Sequence, residues 1–230
     1  MDLAFRFRAG WLSPGDPRSG DLQVNAMQPL LVATRNLGKL EELRQLLSDL
    51  PLDLYGLERF TGVEGIPETG EGFIENASLK AVGYATQTRL LTLADDSGLE
   101  VDALGGGPGV FSARYVSERA SDAERVTELL AELSSVERPG RGARFVSAVA
   151  IASSEGRILN VSVGTCDGQI GFAPRGSVGF GYDPIFIPIG YEQTFAELKP
   201  EIKNQISHRA RALLGAREFL RSLTIASSDR

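Results

Sequence analysis

The chain has 230 residues, 42% of them hydrophobic and 23% charged, with a formal net charge of −6. That length supports one large domain or two small ones with a sizeable core, and the acidic balance excludes a protein held to nucleic acid by its overall field, while leaving room for a local basic pocket that takes a small anion. A single cysteine, Cys166, excludes an internal disulfide framework and suits a reducing, cytoplasmic compartment, and no apolar run reaches the length of a membrane span.

Residues 1–28 mix Arg6, Arg8, Trp11, Pro14, Gly15, Asp16 and Pro17 without a sustained period and without the apolar core of a secretory signal. They are expected to form a weakly ordered extension, or upstream sequence ahead of a start at Met27. A single α/β domain is expected over 29–222, with a short tail over 223–230. Pro29 to Thr34 predicts the first buried strand, and Gly38 to Leu47 predicts a helix with Leu40, Leu43, Leu46 and Leu47 on one face. Between them, Thr34-Arg35-Asn36-Leu37-Gly38-Lys39 reads as a short loop entering a helix N-terminus, where free backbone amides and the helix dipole suit an anion. It lacks the glycines and the Gly-Lys-Ser/Thr ending of a Walker loop.

Leu52 to Leu57 predicts a second strand, Val63 to Gly72 a loop carrying Glu64, Glu68 and Glu71, and Phe73 to Thr88 a helix bearing Glu75, Asn76 and Lys80. Leu90 to Ala94 predicts a strand that stops at Asp95-Asp96-Ser97-Gly98. Such a stretch is an ordinary turn by composition, but acids at a strand's carboxyl end are also well placed for a metal ion or a water. Adjacent strand residues face opposite ways, so both acids can serve one site only if the chain bends, which Ser97-Gly98 would permit. The Gly105 to Gly109 run must be a loop, and Ser121 with Glu124 is a capping box opening a helix to about Leu133. Ala143 to Ser153 and Arg157 to Gly168 predict a hairpin around Ser154-Glu155-Gly156. Gly171 to Tyr191 is a pocket-shaping loop around Gly179-Phe180-Gly181-Tyr182-Asp183-Pro184, and Ser207 is placed to cap a final helix that begins with His208 and Arg209.

Together these polar islands set carboxylates (Glu68, Asp95, Asp96) against basic groups (Lys39, Lys203, His208, Arg209) and helix amides. That combination suits a Mg²⁺-polyphosphate: the ion takes a few carboxylate oxygens, and a water with a nearby aspartate as general base attacks phosphorus. Each residue also has a plainer reading. Lys39 and Lys80 could be solvated helix residues, Phe180 and Tyr182 core packing, and Glu42 a brace for Lys39 or the helix surface.

The order of the motifs resembles the inosine triphosphate pyrophosphatase family, the XTP/dITP diphosphatases. The matching pieces are Ala33 to Lys39 with Glu42, Glu68-Thr69-Gly70 with Phe73 to Ala77 and Lys80, Ala94 to Leu99, Leu104 to Gly106 with Pro108-Gly109, Ser112 to Arg114, Phe180 to Pro184, and Lys203 with Ser207 to Arg209. The resemblance implies a mixed twisted sheet flanked by helices, in two lobes with the active-site cleft between them, and a homodimer that needs Mg²⁺ and binds neither nucleic acid nor membrane. It implies hydrolysis of ITP, dITP and XTP to the monophosphate and pyrophosphate. Thr34, Arg35, Asn36, Leu37, Gly38 and Lys39 would hold the triphosphate and Lys80 a further phosphate, with Glu68, Asp95 and Asp96 on the metal and Ser97 on the substrate. Asp96 would be the proton acceptor. Phe180, Gly181, Tyr182 and Asp183 would wall the base and sugar, and Lys203, His208 and Arg209 would close over the purine and its phosphates.

Arg35 departs from the pattern, since many bacterial relatives have glycine there. A donor-lined pocket, with His208, Arg209 and backbone amides as candidates, would reject adenine by leaving a donor unpaired. A Maf-like nucleotide pyrophosphatase and a non-catalytic nucleotide sensor are the rival readings; the number of ordered motifs disfavours the first and the intact acids the second.

Overall fold

A computed structural model describes residues 27–228, with side chains through 223. The extension read over residues 1–28 therefore lies, up to residue 26, outside the described residues. Six strands form one mixed sheet in the order β2-β1-β3-β4-β5-β6. β1 (Gln28–Val32), β2 (Leu52–Gly56) and β3 (Thr92–Val101) run parallel, while β4 (Gly142–Ala152), β5 (Ile158–Ile170) and β6 (Phe186–Pro188) add antiparallel pairings. The expected mixed sheet with flanking helices is what forms.

α1 (Leu37–Leu46) and α5 (His208–Ser228) cover one face of the sheet, burying Leu40, Leu43, Ala212, Leu213 and Ala216 against Leu30, Val32, Leu93, Val149 and Ile151. α2 (Phe73–Thr88) covers the other face, laying Ala77, Ala81 and Ala85 against Ala94, Ala148, Ala150 and Ala152. Alanines at i, i+4 and i+8 over an alanine-rich sheet keep both surfaces shallow, so the helix can come close. A third cluster gathers around Phe145, Phe186 and Phe195 with Leu129 of α3 (Asp122–Glu132) and Leu133 just past its end. α3 opens with the expected capping box, and Ser207 accepts the Ala210 N–H at 3.2 Å between α4 (Pro200–Ile206) and α5. α5 continues to Ser228, through most of the stretch set apart as a tail. Among the described residues no helix is long and apolar enough to cross a membrane.

One expectation fails. The strand does not stop at the acids: β3 runs straight through Asp95, Asp96, Ser97 and Gly98, paired in register with Val149, Ala148, Ser147 and Val146 of β4. It is β1 that ends. Its last contact with β3 is the Ala33 N–H on Leu93 O at 2.7 Å, so from Ala94 onward the β1 side of β3 opens into a cleft. With no bend, Asp95 and Asp96 point to opposite faces of the sheet, toward Lys39 of α1 and Lys80 of α2. Gly98 has a different purpose: a Cβ there would lie 2.3 Å from Gly109 O and 2.5 Å from Ser112 Oγ. The 3₁₀ segment Gly109–Arg114 can approach β3 only over a bare backbone. Gly98→Ala is accordingly expected to cost about 1–3 kcal/mol in urea unfolding, and wild-type stability in that variant would refute the close-packing role.

Candidate active site

Asn36 caps α1, its Oδ1 accepting the Lys39 N–H at 3.0 Å, while the Asn36 N–H donates to Thr34 Oγ1 at 3.2 Å. The cap leaves other first-turn amides of α1 free, as an anion site needs. Lys39, in that first turn, places Nζ 2.8 Å from Asp95 Oδ2. The same carboxylate takes Ser147 Oγ–H on Oδ1 at 2.5 Å and Ser97 Oγ–H on Oδ2 at 3.1 Å, with Arg209 Nε 3.5 Å from Oδ1. Burial alone would raise the pKa of Asp95, but Lys39 and Arg209, helped by Ser147, hold it well below the usual carboxylate range.

Asp96 faces the opposite side, toward α2. Lys80 Nζ stands between two carboxylates, 2.8 Å from Asp96 Oδ1 and 2.7 Å from Glu68 Oε1. Arg114 holds the other oxygen of Glu68 at 2.9 Å. Burial would raise the Glu68 pKa, yet Lys80 and Arg114 bring it below its ordinary value. For Asp96 the balance goes the other way: burial dominates, Lys80 and Lys39 only partly oppose it, and the pKa rises. Its Oδ2 is buried and has no partner among the described residues.

The three acids expected on one metal therefore do not converge. Asp95 has both oxygens engaged by Lys39, Ser97 and Ser147 on one face, while Glu68 and Asp96 share Lys80 on the other. No group of three acidic, histidine or cysteine side chains among the described residues forms a ready metal cage. Magnesium does not need one, because it keeps several waters and is usually held by one or two carboxylates plus substrate phosphates. Asp96 fits that demand through its unmet Oδ2, and Glu68, a hard donor whose oxygens rest on Lys80 and Arg114, would exchange one of those partners for the ion.

The cleft has two chambers that share Asn36, Lys39 and Ala113. The polar chamber is lined by Thr34, Arg35, Glu68, Lys80 and Asp95. The aromatic chamber is lined by Phe145, Phe180, Tyr182 and His208 together with Ser97, Gly181, Asp183, Lys203 and Arg209. The Phe180 ring sits over Gly38, where a Cβ would come within 2.4 Å of it, and Lys203 Nζ lies 5.0 Å from the ring centroid. Asp183 Oδ2 accepts the Phe180 N–H at 2.9 Å and pairs with Lys203 at 2.5 Å. His208 stacks on Phe145 with centroids 4.6 Å apart, and its Nδ1 has no partner among the described residues. Burial, then neighbouring Arg209, pushes its pKa well below the usual value, so the ring is neutral at pH 7.

Of the residues expected to touch substrate, Leu37 and Gly38 line neither chamber; Leu37 is 79% exposed and Gly38 is covered by Phe180. Glu42 braces Lys203, at 2.7 Å, and Arg209, not Lys39. Several participants escaped the sequence reading. Ser147 had a signal, as the one hydroxyl in the apolar stretch Phe145 to Ala152. Arg114 stood in a matched motif without a role and nothing tied it to Glu68, and nothing signalled Asp122, which accepts the Gly181 N–H at 2.6 Å and pairs with Arg125.

A chamber for a planar ring joined to one for an anionic chain, on an α/β sheet at the end of a parallel strand, defines a nucleotide-handling protein. The family is more particular. The Ham1 family model matches residues 30–219, and the chain belongs to that family. It is 48% identical to a dITP/XTP pyrophosphatase of Geobacillus kaustophilus over 187 residues, 81% of this chain and 91% of the relative. The structure of a HAM1 protein from Coxiella burnetii superposes with a TM-score of 0.73 at 40% identity, covering 89% of this chain and all (100%) of that one. A nucleoside-triphosphatase / dITP/XTP pyrophosphatase from Mycobacterium abscessus gives a TM-score of 0.67 at 46% identity over 82% of this chain and 98% of that one. The resemblance read from the ordered motifs is borne out.

Asp95 yields a pH prediction. Its folded pKa lies below the unfolded value of about 3.9, so its contribution to stability is complete above that value and is lost as pH falls below it. Asp95→Asn, which leaves Lys39 and Arg209 short of a buried partner, is expected to lose about 3–5 kcal/mol at pH 7. Urea titrations should show variant and wild type converging below pH ~4; a constant difference from neutral to acid pH would contradict the assignment.

Proposed function

We propose that this chain hydrolyses the deaminated purine nucleoside triphosphates ITP, dITP and XTP to the nucleoside monophosphate and pyrophosphate. The observation that carries the reading is the junction of the aromatic and polar chambers at Asn36 and Lys39. A purine in the first would lead its phosphates past the α1 N-terminus to Lys39 and Lys80. The named activity of the relatives supports the same reading.

Each side chain then has a task. Thr34 and Asn36 bind phosphate oxygens, Lys39 meets their charge, and Asp95 keeps Lys39 ionised and aimed. Arg35, whose guanidinium reaches Val63 O at 3.4 Å, lines the outer wall of the polar chamber. Glu68 and Asp96, rather than Asp95, would hold Mg²⁺, which would supply charge neutralisation at the phosphates. Asp96, with a raised pKa and an unmet Oδ2, orients the water and takes its proton as its oxygen attacks the α-phosphorus, with pyrophosphate as leaving group. Lys80 limits how far the Asp96 pKa climbs.

In the aromatic chamber, Phe180 and Tyr182 wall the ring. Neutral His208 and the Arg209 guanidinium offer donors to the 6-carbonyl of hypoxanthine or xanthine, and adenine would set its amino group against them. Ser97, held by Arg209 Nη2 at 3.0 Å, lies on the wall of the aromatic chamber. We assign the enzyme to the cytoplasm, where buried, unpaired Cys166 stays reduced, and to a homodimeric state on the family resemblance.

A panel of ITP, dITP, XTP, GTP and ATP with Mg²⁺, scored for pyrophosphate and monophosphate, tests the reading. The deaminated nucleotides should lead, and a preference for ATP, or release of orthophosphate alone, would sink it. Asp96→Asn should fold normally and lower kcat by about 10²–10⁴-fold; a rate near wild type would remove Asp96 from its role.

A further inference from the structure

Glu68 sits on an irregular segment, residues 61–72, between a 3₁₀ turn and α2. An unanchored stretch of that length is a poor support for a metal ligand. This one is fastened along its length. At one end the Glu64 N–H donates to Gln87 Oε1 at 2.8 Å, and Gln87 Nε2 donates back to Glu64 O at 3.3 Å. Next, Ile66 packs on Gly83, where a Cβ would lie 2.4 Å from Ile66 Cδ1. Glu68 then meets Lys80 at 2.7 Å. Finally the Gly70 N–H donates to Asn76 Oδ1 at 2.8 Å, beside the Glu71 N–H on Glu75 Oε2 at 2.9 Å.

The spacing is regular on both sides. Positions 64, 66, 68 and 70 alternate as in an extended chain, and they meet 87, 83, 80 and 76, which step by four, three and four along one stripe of α2. An extended chain covers about 20 Å between positions 64 and 70, and a helix about 16 Å between 76 and 87, so the two lengths nearly match. Asn76 is completely buried, and its Nδ2 has no partner among the described residues. A half-satisfied buried amide is costly, so it is not explained by its own stability.

We infer that Asn76 and Gln87, neither of which lines the cleft, are positioning residues that act through the 64–71 segment to hold Glu68 at the metal site. The inference rests on the proposed reading only in taking Glu68 as a metal ligand. Gly83 serves the same end by letting the segment lie close to the helix.

The test measures Mn²⁺ binding to the full chain by electron paramagnetic resonance, with a non-hydrolysable ITP analogue present, alongside Mg²⁺ titrations of pyrophosphate release. Asn76→Ala should weaken Mn²⁺ by about 10-fold and raise the half-saturating Mg²⁺ in parallel, with KM for ITP at saturating Mg²⁺ near wild type. Gln87→Ala, at an exposed position that spares the core, should move in the same direction by a smaller factor. Asn76→Asp keeps the acceptor and should recover most of the loss. Unchanged Mn²⁺ affinity in folded Gln87→Ala and Asn76→Ala overturns the inference; so does a lowered melting temperature with an unmoved metal dependence. If Asn76→Ala does not fold, Gln87→Ala decides alone. A wild type that binds Mn²⁺ but releases no pyrophosphate from any purine triphosphate would refute the proposed activity, leaving the positioning role to be judged by Mn²⁺ binding.

Discussion

Two lysine–aspartate pairs straddle one strand, and the cleft depends on both. Lys39 reaches Asp95 from α1 and Lys80 reaches Asp96 from α2, so successive residues of β3 are claimed by helices on opposite faces of the sheet. A buried ion pair contributes little net stability, but a buried charge without its partner is severely unfavourable. Each pair therefore fixes where its helix can sit. The turn that caps α1 and the segment that carries Glu68 are both referenced to the same two residues of β3, although they lie on different sides of the sheet.

The periodic elements were legible in the sequence because they obey local rules. The leucines of α1, the hairpin of β4 and β5 around Ser154 to Gly156, and the Ser121–Glu124 box need only neighbouring residues to specify them. β3 was misread because Asp95-Asp96-Ser97-Gly98 has the composition of a turn, and the force that keeps it extended comes from β4, about fifty residues later in the chain. The bare backbone of Gly98 answers to Gly109 and Ser112, which no local pattern announces. Lys39, Glu68 and Phe180, which line the cleft, and Asp96 beside it were singled out through the order of motifs. The partners that tune them, Ser147, Arg114 and Asp122, are set by tertiary approach, and so is the attachment of Glu42 to Lys203 and Arg209.

The aromatic chamber is held by a second set of buried charges. Lys203 sits between Glu42 of α1 and Asp183 of the Phe180 loop, and Arg209 reaches from α5 to Glu42 and Ser97. Three helices and one loop thus share a single polar cluster behind Phe180. The loop has many glycines, and Gly179 and Gly181 adopt positive φ, yet its conformation is pinned from within by Asp183, which accepts from Phe180 N–H and excludes a side chain at Gly179. Flexibility in composition and rigidity in structure are compatible here because the glycines are needed for shape.

Taken as an electrical object, the empty cleft is balanced. The carboxylates of Glu42, Glu68, Asp95, Asp96 and Asp183 are each paired with one or more of Lys39, Lys80, Lys203, Arg114 and Arg209. Apart from Arg35 on the outer wall, the basic side chains that line the cleft are therefore not an idle positive field awaiting an anion; they are already answered. A triphosphate entering alone would bring unmatched negative charge into a low-dielectric space, at a cost that grows as water leaves. A cation that travelled with the nucleotide would offset that cost, so the cleft's own charge balance would favour the paired species over the bare one.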